Sequence, residues 1–189
     1  MSFTLEKQNA LTKKDKSHEQ QWDEKIKSLC DKINAKENFF TTSSCAGRIT
    51  IIKDAPAAEG RTERCKSQKS PDAFLFKSHD KITFNQIKET IQNIKDKAYF
   101  RQEPCALHVA CKTLQNAQSF LNKARAVGWK KSGIISSDKR FICELFSTEL
   151  IATPITEDLS QDYLELLIEE ANKKLERTWG KIDRLMEVI

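Results

Sequence analysis

The sequence predicts an α+β protein: a single domain with a mixed or antiparallel sheet flanked by helices, a long C-terminal helix, and no Rossmann fold. Three observations carry this. Short apolar runs bounded by turn residues come in groups, with capped helices between and after them, rather than in strict strand–helix alternation. Residues 160–189 keep an apolar face at helical spacing, with Leu164, Ile168, Ala171, Leu175, Trp179, Ile182 and Met186. No stretch has the glycine spacing of a phosphate loop or a dinucleotide fingerprint.

Taken in order, residues 1–19 are polar and weakly periodic and read as a flexible tail; residues 20–189 form the domain. "EQQWDEKIKSLCDKINAKENFF" places Trp22, Ile26, Leu29, Cys30 and Ile33 at helical spacing. Strands at 39–42 and 48–53 flank "TTSSCAGR", and 54–73 is a long polar loop with two prolines and a glycine. "FLFKSH" is a strand. Thr83 with Gln86 makes a capping box, Ile82 and Ile87 fit its hydrophobic staple, and Phe84, Ile87, Ile91 and Ile94 line one face of the helix that follows. "EPCALHVAC" reads as a single central strand. Thr113 caps a helix through Leu114, Ala117, Leu121 and Ala124, which Gly128 ends. "GIISS" and "RFICELFS" make a hairpin around Asp138-Lys139, and "LIATPIT" is a last short strand.

Composition narrows the function class. No run approaches the ~18 apolar residues of a membrane span, and the N-terminus has no signal-peptide core. Six cysteines (Cys30, Cys45, Cys65, Cys105, Cys111, Cys143) include no Cys-x-x-Cys pair, so they read as reduced thiols of a cytoplasmic (or nuclear) protein. His18, His79 and His108 form no metal-ligand spacing, and no metal is expected. Net charge is +5 and unevenly spread. Residues 48–101 hold 12 basic against 7 acidic side chains and 112–140 hold 7 against 1, whereas 141–189 hold 5 against 11. A basic body of this kind suits a polyanion such as RNA, or is an ordinary solvated surface.

The densest chemistry is in "TTSSCAGR". Gly47 permits a positive φ or a close backbone approach. Ser43 and Ser44 offer hydroxyls and N–H groups, and Arg48 offers a fork for carboxylate or phosphate. The same residues equally describe a hairpin turn with a half-buried Cys45 and a surface arginine. His79-Asp80 closes a strand, where a base or donor often sits. His108 lies inside an apolar strand, and Glu103 brings a carboxylate to a sheet end. Trp129 could stack a base beside Lys130 and Lys131, or be core.

Six segments in order resemble the wybutosine-synthesis methyltransferase family: "FFTTSSCAGRI", "FLFKSHD", "EPCALHVAC", "GWKKSGI", "FSTELIATPIT" and "ANKKLERTWGKIDRL". The resemblance implies S-adenosylmethionine-dependent methylation of a ring nitrogen of the tricyclic modified guanine 3′ of the anticodon in phenylalanine tRNA, held by its anticodon stem-loop. On this reading Ser43, Ser44, Cys45, Gly47, Arg48, Ser132, Gly133 and Ser147 hold the cofactor. Arg48, Glu103, Trp129, Lys130 and Lys131 meet the RNA. His79 or Asp80 takes the proton, with His108 in support. A homodimer is left open. Three positions depart from the family pattern: Ala46 for a serine-type residue, Phe74 for tryptophan and Phe146 for arginine. The alternative is a non-catalytic RNA-binding module that presents tRNA to a modification complex.

Overall fold

The computed structural model describes residues 2–12, 23–53, 73–95, 97–138 and 140–189. In chain order its elements are α1 (Phe3–Leu11), α2 (Glu24–Asn34), β1 (Phe39–Cys45), β2 (Arg48–Lys53), β3 (Phe74–Ser78), α3 (Phe84–Gln92), β4 (Ala98–Glu103), β5 (Ala106–Cys111), α4 (Leu114–Ala126), β6 (Lys131–Ser136), β7 (Phe141–Phe146), β8 (Ile151–Ile155) and α5 (Gln161–Val188). The α+β class, the antiparallel pairing and the long last helix are as the sequence predicts. The strands divide between two four-stranded sheets, in orders β1-β5-β7-β6 and β3-β2-β4-β8, and every pairing is antiparallel. Among the described residues no helix is long and apolar enough to cross a membrane.

Two compact units are present. The first comprises Met1–Ala46, Pro104–Thr148 and Arg177–Ile189. Its core lies on one face of the β1-β5-β7-β6 sheet. There Leu107, Val109, Cys143 and Leu145 meet Ile26, Leu29 and Ile33 of α2, Phe120 and Leu121 of α4, and Ile182 and Leu185 near the end of α5. The expected spacing in α2 is the buried face; Trp22 lies outside the described residues. Asp23 caps α2 through Lys25 N, and Thr113 caps α4 through Asn116 N at 3.1 Å. Gly128, at φ 101°, takes the left-handed conformation that ends α4. All five described cysteines are free thiols.

Part of the expected flexible tail is a helix. Ser2 caps α1, yet α1 buries no residue of its own. Tertiary contacts hold it instead. The Phe3 ring packs on Phe40 at 5.2 Å, Glu6 pairs with Arg140 at 3.0 Å, and Lys7 donates to the Lys36 carbonyl at 2.7 Å. A segment with no stripe of its own offers no period to read, which is why the sequence shows it as coil. Residues 13–22 lie outside the described ones.

The second unit comprises Gly47–Glu103 and Glu149–Glu176. The reciprocal capping box of Thr83 and Gln86 forms as expected, with Ile82 and Ile87 buried beside it. Along β4, Ala98, Phe100 and Gln102 are buried while Tyr99, Arg101 and Glu103, on the other face, are half-buried. The predicted continuous strand 103–111 is therefore two strands. β4 ends at Glu103 in this unit, Pro104-Cys105 breaks the ladder, and β5 begins at Ala106. The expected loop 54–73 lies almost wholly outside the described residues.

Candidate active site

The quoted loop is shorter than its sequence suggests. β1 runs through Ser43, Ser44 and Cys45, leaving only Ala46-Gly47 before β2. It is also no hairpin. β1 pairs with β5 while β2 pairs with β3 and β4, so the flanking strands join different sheets. Gly47 has φ 94°, a region that side chains with a Cβ avoid at a cost of about 1–2 kcal/mol. Gly47→Ala is expected to lower unfolding free energy by about that amount, read as a shift of the urea midpoint with unchanged slope.

In the first unit, register lines up one polar row across the sheet. Ser43 pairs with His108, His108 with Glu144, and Glu144 with Gly133. Directly opposed residues share a face, and the buried neighbours Leu107 and Leu145 belong to the opposite one. His108 Nε2 lies 2.7 Å from Glu144 Oε1, with side-chain exposures of 28% and 29%. At Gly133 a Cβ would meet nothing within 4 Å, so the sheet face beside Glu144 is open. By the same alternation Cys45 and Lys131 belong to this face and Ser44 to the core side. Ser44 there bonds to the Cys30 thiol, which burial pushes up to about 11 against the pull of that hydrogen bond.

In the second unit Arg48 and Glu103 are directly opposed on β2 and β4. Arg48 Nε donates to Glu103 Oε2 at 2.5 Å, and the side chains remain 30% and 23% exposed. The Phe74 ring backs the guanidinium, 5.4 Å from centroid to Cζ. His79 follows β3 and is half-buried; Asp80 is exposed, its backbone N bonded to Ser78 Oγ at 3.1 Å. Asn172 of α5 fixes the next segment by accepting from Ile82 N at 2.9 Å and donating to Ile82 O at 2.8 Å.

Matching against known families finds Methyltransferase TYW3 over residues 4–189. The chain belongs to this family. A tRNA wybutosine-synthesizing protein 3 homolog of Xenopus laevis is 32% identical over 97% of the chain and 72% of its own length. The tRNA(Phe) 7-((3-amino-3-carboxypropyl)-4-demethylwyosine(37)-N(4))-methyltransferase of Thermococcus sibiricus is 33% identical over 100% of the chain and 94% of its own. In structure, the PH1069 protein from Pyrococcus horikoshii matches with a TM-score of 0.82 at 29% identity, covering 98% of this chain and 95% of that one.

Within this TYW3 chain several expected site residues turn out to be structural. Trp129 is fully buried and its Nε1 donates to the Lys181 carbonyl at 3.1 Å, so it is core and cannot stack a base. Ser147 is buried; its hydroxyl accepts from Cys105 N at 3.0 Å and lies 3.3 Å from Thr178 Oγ1. It therefore ties strands to α5 and is not presented to a cofactor. Ser132 Oγ donates to the Trp129 carbonyl at 2.8 Å and receives Arg125 Nε at 3.3 Å. Lys130 and Lys131 stay exposed.

Two departures from the family pattern find physical reasons. The Ala46 side chain is fully buried in the first unit's core, and its N–H donates to Asp23 at 2.7 Å. A methyl there fills core, so a serine-type residue at this position would not present its hydroxyl to a ligand. Phe74 supplies the aromatic face over Arg48 that a tryptophan would. Phe146 pairs with Ala106 and Lys131 at the end of β7; nothing in the structure explains its replacing arginine. Glu144, Asp23 and Asn172 were not among the expected site residues. A lone carboxylate inside the apolar run "RFICELF" was the available signal for the first.

Proposed function

We propose that this chain methylates N4 of 7-((3-amino-3-carboxypropyl)-4-demethylwyosine at position 37 of tRNA(Phe), with S-adenosylmethionine as donor. The observation that carries the reading is the end-to-end match to a methyltransferase of that specificity. Both the base, through its amino-carboxypropyl arm, and the donor, through its methionine end, present an α-amino acid zwitterion. Arg48 and Glu103 form a half-exposed pair of opposite charges that fits such a group, guanidinium to carboxylate and carboxylate to ammonium. The positive φ of Gly47 sets the backbone immediately before Arg48.

When bound, the donor supplies a sulfonium-activated methyl carbon for in-line displacement by the ring nitrogen, and leaves as a neutral thioether. The protein aligns the partners, a contribution of up to about 7–11 kcal/mol, and receives the proton that N4 releases. His108 is assigned that proton. With Nε2–H donating to Glu144, Nδ1 is the basic nitrogen, and the carboxylate stabilises the imidazolium that forms. The sequence put His79 or Asp80 first in this role; His108 is preferred here for its carboxylate partner Glu144, in register beside an open sheet face.

Titration calorimetry tests the reading. The wild-type chain is expected to bind S-adenosylmethionine, alone or with tRNA. Arg48→Ala should weaken that binding about 10- to 100-fold, the value of lost charge-assisted hydrogen bonds. No binding in either condition would favour the non-catalytic RNA-binding module.

A further inference from the structure

The outward face of β4 carries an arrangement that methyl transfer does not use. Tyr99 and Arg101 alternate along the strand and therefore share a face, and Lys97, just before the strand, lies against the Tyr99 ring. Lys97 Nζ is 5.3 Å from the Tyr99 ring centroid, and Arg101 Cζ is 5.7 Å from the same centroid. One ring thus positions two cations. No carboxylate among the described residues pairs with Arg101, and its buried Nε has no hydrogen-bond partner. The neighbouring edge strand β8 sets only Ala152 and Pro154 opposite Arg101 and Tyr99, both exposed, and so adds no counter-charge. On the other side Lys77 of β3 is exposed, and between it and Arg101 lies Thr50, which is fully buried. The same face of β4 ends at Glu103, partner of Arg48, about 20 Å from Lys97 at ~3.3 Å per residue.

We infer that this face of β4 is a track for the phosphate backbone of the substrate tRNA, with Lys97 and Arg101 each meeting a phosphate and Tyr99 holding both cations in place. The inference rests on the tRNA reading above. Flexible cations normally lose side-chain freedom on binding; cation–π contacts to a shared ring restrict Lys97 and Arg101 beforehand. An edge strand bearing alanine and proline opposite Arg101 and Tyr99 adds no carboxylate of its own beside the track, which ends at the Arg48–Glu103 pair.

Fluorescence anisotropy of tRNA(Phe) binding across a salt series tests this, with the wild type, Lys97→Ala, Arg101→Gln and, as a control on the acidic helix, Lys173→Ala. Each of the first two variants should flatten the slope of log K against log salt by about 0.7–0.9, the loss of one phosphate contact. Lys173→Ala should leave the slope as in wild type. If wild type binds and the Lys97 and Arg101 variants keep its slope, the track is wrong and the methyltransferase reading stands. If wild type binds no tRNA at any salt, the reading falls and the track with it.

Discussion

His108→Ala is expected to lower kcat for tRNA methylation by about two to four powers of ten, the range that a positioned general base contributes. His108 sits in the middle of β5 with its ring at the half-exposed surface, against Glu144 at 2.7 Å. Removing the imidazole deprives the N4 proton of its acceptor without opening a cavity in the core, so the melting temperature should change little. Glu144→Gln should have a smaller effect, about tenfold for each 1.4 kcal/mol of imidazolium stabilisation removed, and should alter the pH profile of kcat/KM. A merely structural pair would lower stability and leave that profile unchanged. His79→Ala should retain more activity than His108→Ala. The reverse order would return the proton to the turn after β3.

Trp129→Ala carries the largest expected loss of stability, about 3–5 kcal/mol for deleting a buried aromatic. The indole is fully buried and its Nε1 donates to the Lys181 carbonyl, so truncation leaves a cavity and removes that hydrogen bond. For a chain of this size that corresponds to a fall in melting temperature of about 10 °C. Trp129→Phe separates the two roles the sequence allowed. It should cost about 1 kcal/mol for the lost hydrogen bond and leave tRNA affinity unchanged. Weaker tRNA binding by Trp129→Phe at unchanged stability would mean that the ring meets RNA.

How much could be read in advance depends on the range of the deciding contact. Helices with an apolar face and a local cap, as in α3 with Thr83 and Gln86, were legible because every determinant lies within a few residues. β4 was not. Its charged residues Arg101 and Glu103, with Lys97 just before it, mask the buried alternation of Ala98, Phe100 and Gln102, and Pro104, which looks like a strand entry, is a break. The direction Trp129 faces depends on Lys181, 52 positions away, and helix α1 depends on Phe40 and Arg140.

The same division runs through the site. Arg48, Glu103 and Gly47 could be named from residue type and position at strand ends, and His108 as a histidine inside an apolar strand. That Arg48 and Glu103 pair, and that His108 pairs with Glu144, follows from strand register, which no single segment encodes. "TTSSCAGR" was ambiguous for a related reason. Alternating hydroxyls read equally as loop or strand, and only the pairing of β1 with β5 removes the hairpin.

The most direct test of the account is the reaction itself. Purified chain, S-adenosylmethionine carrying a labelled methyl group, and tRNA(Phe) bearing the 4-demethyl amino-carboxypropyl base would be incubated together, and the position-37 nucleoside analysed by mass spectrometry. The nucleoside should gain one labelled methyl group, located on N4 by fragmentation and absent with His108→Ala at the same incubation time. An unmodified nucleoside after incubation with folded, tRNA-bound wild type, or a methyl group at another atom, would contradict it.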